Sequence, residues 1–178
     1  MTALALPTFS KTHTKDSFDI SPPQRAIVAI VASALTLASL YAVARGLLGF
    51  APDHAATRYM AVVIHVATVL PAIPLGGYLL LAPKGTKMHK MLGKIWVALM
   101  LATATSAIFI QSSGSFSFIH LFIPMTFIAS YKLVATARRG DMKGHKKEIL
   151  SLYLGALTIP GIVAFALPGR LRNVCLFG

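Results

Sequence analysis

Residues 59–82 read YMAVVIHVATVLPAIPLGGYLLLA. The stretch holds no Asp, Glu, Lys or Arg, and His65 is its one ionisable group apart from the tyrosines. It is longer than the roughly 20 residues that a helix rising about 1.5 Å per residue needs to cross about 30 Å of hydrocarbon. Lipid offers no water to backbone N–H and C=O groups, so such a run is expected to be a helix, which satisfies them internally. Pro71 and Pro74 fall inside it and each removes one N–H, a defect that neighbouring helices accommodate by repacking.

Four more runs of the same kind lie on either side, at 26–50, 91–111, 116–136 and 149–167. Short connections join them, and none shows the alternating pattern of a membrane β-barrel strand. The expected fold is therefore all-α and integral to a membrane, with five transmembrane helices. Residues 1–25 read as a polar N-terminal tail, 26–50 as a peripheral first transmembrane helix, 59–167 as a four-helix bundle and 168–178 as a C-terminal tail. The first run lacks the short apolar core and small-residue cleavage site of a signal peptide, so it reads as a retained helix. Across 178 residues the composition is 56% hydrophobic and 12% charged, with mean hydropathy +0.71, which excludes an ordinary soluble globule.

The net charge of +12 would suggest nucleic acid in a soluble protein. Here the cations sit between the apolar runs, so the lipid bilayer is the expected partner and nucleic acid is not. Lys84, Lys87, Lys90 and Lys94 form one cluster; Lys132, Arg138, Arg139, Lys143, Lys146 and Lys147 form a second; Lys11, Lys15 and Arg25 form a third. Alternation of the helices puts all three on one side, which the positive-inside rule makes cytoplasmic, with the N-terminus inside and the C-terminus outside. Cys175 is the only cysteine, so neither an intrachain disulfide nor a cysteine-based cluster can form.

Four of the six histidines belong to different spans: His65 in the second, His89 just before the third, His120 in the fourth and His145 just before the fifth. Counting about 1.5 Å per residue places His65 about 10 Å and His120 about 6 Å below the outer surface, with His89 and His145 at the inner one. The result is an outer pair and an inner pair about 25 Å apart, which excludes one four-histidine metal centre. Two imidazoles from facing helices are the usual axial ligands of a b-type haem and need no C-x-x-C-H motif. His65 shares a face with Ala61, Thr68, Ala72 and Gly76, small residues beside which a macrocycle would fit, and Gly93 stands one turn from His89. Lys87, Lys90, Lys94, Lys143 and Lys146 on the inner side, and Arg58 and Arg170 on the outer, would neutralise propionates.

Each feature also has a plainer reading. Small residues on a membrane helix serve close helix packing, lysines serve topology and anionic lipid, and interfacial histidines serve as caps. His65 and His120 resist this most, because an ionisable group within a span is costly and marks a functional site. The five acidic residues all lie outside or at the margins of the apolar runs, so a proton-coupled transporter is disfavoured. No nucleotide-binding, zinc-protease or serine-hydrolase motif occurs.

The segments His89-Lys90-Met91-Leu92-Gly93-Lys94-Ile95-Trp96, Ile119-His120-Leu121, Ala137-Arg138-Arg139-Gly140-Asp141 and Gly144-His145-Lys146-Lys147 resemble the bacterial predicted membrane proteins grouped as domain of unknown function 2306. Where that family carries arginine after the first histidine and the glycine, this chain has Lys90 and Lys94, which keep the charge without the bidentate fork. The resemblance implies a helical membrane fold and a bacterial inner membrane, with the C-terminus periplasmic. A more distant architectural likeness, to di-haem cytochromes of the b561 type, implies pairing of His65 with His120 and of His89 with His145. The expectation is a b-type cytochrome-like electron-transfer protein with bis-histidine haem b, His65 and His120 being the leading ligands and quinone a partner. The alternative is a haem-free accessory subunit of a larger respiratory or photosynthetic membrane complex.

Overall fold

The computed structural model describes residues 20–51, 58–110, 118–168 and 171–177. The expectations for Lys11, Lys15 and Arg170 lie outside the described residues. Five helical rods are long and apolar enough to cross a membrane. They are α1 (Pro22–Leu47), α2 (Met60–Leu81), α3 (Lys87–Ile108), a 3-10 turn (Phe118–Leu121) running into α4 (Phe122–Arg139), and a composite fifth rod. That rod comprises α5 (Met142–Leu150), a π-helical segment (Ser151–Thr158) and α6 (Ile159–Ala166). A short α7 (Leu171–Phe177) follows where the sequence reads as a tail, and it packs against α1 and α6. No strand occurs among the described residues.

Each helix packs mainly on its sequence neighbour, α2 on α1 and α3, and α4 on α3 and the fifth rod. Large apolar side chains face outward all round, among them Ile30, Leu37, Tyr131 and Ile162, at 68%, 67%, 72% and 51% exposure. Apolar exposure on that scale exceeds what a protein in water tolerates, and lipid is its solvent. The first helix is not isolated from the bundle: Ala32 meets α2 at Gly77, and Leu35 meets α6 at Gly161.

The centre of the bundle is a notch in α2. Gly76 and Gly77 lack the Cβ atoms that would meet Trp96 and Tyr153 at 2.6–2.8 Å and Ala32 at 2.6 Å. Two large aromatic rings therefore reach the α2 backbone. Trp96 donates its indole N–H to the carbonyl of Ala72 at 2.9 Å, and Tyr153 donates its hydroxyl to that of Ile73 at 3.1 Å. Both side chains are fully buried, so each polar tip needs its partner.

The π segment is a feature that the apolar pattern of 149–167 does not announce. Pro160 stands just beyond it and has no N–H to continue either hydrogen-bond ladder, while Thr158 donates its hydroxyl to the carbonyl of Tyr153 five residues back, at 2.8 Å.

Candidate functional site

α3 and α5 begin earlier than the apolar runs do, at Lys87 and Met142, and so take His89 and His145 into their first turns. The reason is capping. Thr86 accepts the backbone N–H of His89 at 3.0 Å, and Asp141 accepts that of Gly144 at 2.9 Å. Between α4 and α5 the chain reverses through Gly140 in the left-handed region (φ 72). Gly140 N–H bonds to the carbonyl of Ala137 and Asp141 N–H to that of Thr136, the double closure of a Schellman motif. Gly144 then sits where a Cβ would collide with Asp141 and with Thr136 at 2.9 Å. The Arg-Arg-Gly-Asp and Gly-His elements are thus one device that turns the chain and places His145.

The placed rings come near each other. His89 and His145, from α3 and α5, lie within electrostatic reach of each other, and Lys84 lies within reach of His89. His145 bonds through Nδ1 to the carbonyl of Leu133 in α4 at 3.1 Å. A carbonyl only accepts, so Nδ1 carries the proton and Nε2 holds the lone pair of the neutral ring. Nδ1 of His89 is buried and has no hydrogen-bond partner. One turn further along α3, Gly93 has nothing within 4 Å of where a Cβ would stand. Sequence reading missed Ser130 on α4, one turn from Leu133. It is fully buried and its hydroxyl also has no partner, a fact that no feature of the sequence signals.

At the other end the picture differs. His65 donates Nδ1–H to the carbonyl of Thr103 at 3.0 Å, with the Ser106 hydroxyl at 3.3 Å. Thr103 in turn donates its hydroxyl to Thr68 at 2.8 Å. His120, in the 3-10 turn rather than in regular α-helix, bonds through Nε2 to the carbonyl of Ile110 at 3.0 Å. Its neutral ring keeps the lone pair on Nδ1, the nitrogen nearer the backbone. His65 fastens α2 to the last turns of α3, and His120 fastens the 3-10 turn to Ile110, two residues past the end of α3.

A haem needs a slot beside its ligating helix. The face of α2 expected to provide it beyond His65 is filled, Thr68 by Thr103, Ala72 by Trp96 and Gly76 by Trp96 and Tyr153. A macrocycle does not fit along it. The basic end fits better, with two histidines within electrostatic reach, an orphaned buried nitrogen and open space at Gly93. Among the described residues no three His, Cys, Asp or Glu side chains group to hold a metal ion.

The match of a family profile to residues 62–172 spans all four of these histidines and both capped turns. The chain belongs to the DUF2306 family of predicted membrane proteins. No curated protein and no solved structure matches the chain. The basic segments of the DUF2306 region share one end of the bundle with the start of α1. Arg25 of α1 donates to the carbonyl of Leu81 at the end of α2, at 3.2 Å, and the turns before α3 and α5 lie at that same end.

Proposed function

We propose that this DUF2306 protein is a membrane electron carrier holding one b-type haem between His89 and His145 at its basic end. The observation that carries the reading is that these two imidazoles lie within electrostatic reach of each other, one with its buried Nδ1 unpartnered and one turn from Gly93, where a Cβ would meet nothing. When bound, the haem would supply one-electron exchange at iron. The chain's own part is orientation. The Leu133 carbonyl fixes the tautomer and tilt of His145, as outer-shell acceptors do for ligating histidines. Thr86 and Asp141 hold the two helix starts in place, and the surrounding lysines favour carboxylates at that end. The setting is a bacterial inner membrane with the basic end cytoplasmic and the quinone pool or a larger membrane complex as partner.

A second reading is favoured by the outer network. His65, Thr68, Thr103 and Ser106 form helix-to-helix bonds of the kind that glue membrane bundles, and a haem-free accessory subunit would need them. A reduced-minus-oxidised spectrum of the purified, folded protein decides. Soret and α bands are expected from the wild type and from His65→Ala, and not from His89→Ala or His145→Ala. Their absence from folded wild-type protein leaves the haem-free subunit.

A further inference from the structure

At the corner between α2 and α3 there is an open notch of ≈ 270 Å³, lined by Tyr78, Ala82, Pro83, Thr86, Met88 and His89. Its volume lies below the roughly 300–1,000 Å³ of sites that enclose whole small molecules, so a headgroup suits it and a macrocycle does not. The lining is amphiphilic. Tyr78, Ala82, Pro83 and Met88 give an apolar wall, and Thr86 and His89 a polar one. Tyr78 and Met88 are half exposed at the ends of two membrane spans, so the notch opens sideways to lipid.

The charge around it has one sign. Lys84 is tied down at the corner, its ammonium donating to the carbonyls of Leu80 and Ala82 at 2.7 and 2.6 Å. Lys87 and Lys90 stand exposed on either side of Met88 and His89 in the sequence. The corner itself, residues 78–90, contains no acidic side chain. A fixed cation, two exposed ones and hydroxyl and imidazole groups above an apolar wall match a phosphodiester with acyl chains below it.

We propose that this corner is a binding site for one anionic phospholipid. Its phosphate sits at Thr86, His89 and the three lysines, and its chains lie along Tyr78 and Met88. His89 serves either this phosphate or a haem iron, so the site is that of the chain without haem.

The test titrates the detergent-purified protein with phosphatidylglycerol and, separately, with phosphatidylcholine, counting bound lipid by native mass spectrometry. Inorganic phosphate is the third probe, read by thermal shift. One phosphatidylglycerol is expected per chain, well ahead of phosphatidylcholine. Lys87→Gln with Lys90→Gln should weaken it about tenfold or more, from roughly 1 kcal/mol per basic residue near a lipid surface. Lys143→Gln with Lys147→Gln removes the same charge from the same end and should change it less than about twofold, because those lysines are on α5, which contributes no residue to the notch lining, whereas Lys87 and Lys90 flank it on α3. An equal loss in both double variants means diffuse attraction and overturns the site. Equal binding of phosphatidylcholine overturns it too, as does stabilisation by inorganic phosphate to the same degree as by phosphatidylglycerol.

Discussion

The indole of Trp96 in α3 donates to the carbonyl of Ala72 in α2 at 2.9 Å with no exposed surface of its own. The contact exists because Gly76, one turn beyond Ala72, has no side chain: an added Cβ there would lie 2.7 Å from the indole nitrogen. Tyr153 enters the same notch from the fifth rod, so one pair of glycines sets how closely three helices approach.

Gly76→Ala should lower stability by about 1–3 kcal/mol, the usual cost of forcing a methyl group into a packed core. Gly46→Ala, where nothing lies within 4 Å, should not. Trp96 is the only tryptophan, so thermal unfolding followed by its fluorescence reads the effect at the site itself. Equal melting temperatures for the two variants would remove the notch as the organising contact.

Tyr153→Phe keeps the ring and deletes the hydroxyl that bonds to Ile73. Removing the donor should cost about 1 kcal/mol, while Tyr153→Ala, which also leaves a cavity, should cost about 3–5 kcal/mol. Chemical denaturation in mixed micelles compares them. A Phe variant as damaged as the Ala variant would mean that the hydroxyl, and not the ring, carries the packing.

Asp141→Ala removes the cap of α5 and should cost about 1 kcal/mol. If the turn places His145, the same variant should also weaken haem retention without touching a ligand. Spectroscopic titration with haemin checks this, and unchanged affinity would separate the turn from the site.

Burial pushes the Cys175 thiol up, with Arg45 opposing part of the shift. The thiolate is the reactive form, so alkylation should be slow at neutral pH and should reach half its maximal rate at a higher pH than for a free cysteine. A maleimide rate profile measures it. Unfolding the protein should restore ordinary reactivity, and a profile unchanged by unfolding would refute the burial of α7 against α1.

By itself the sequence determined the spans and the sorting of charge. A run such as 59–82 has one stable conformation in hydrocarbon, because only a helix bonds its own backbone there, and the sharing of one end by the basic segments 84–94 and 132–147 follows from counting alternate helices. The division of four histidines between two ends was legible for the same reason, since depth depends only on residue number. Lateral relations were not legible. That Gly76 admits Trp96 rather than a cofactor, that His65 spends its Nδ1 proton on Thr103, and that Pro160 and Thr158 accompany a π segment all depend on which side chain from another helix arrives at a given face. Hydropathy says that a face is small or polar. Only packing says what fills it, because filling is a property of two helices and their rotation about each other, which neither run encodes alone.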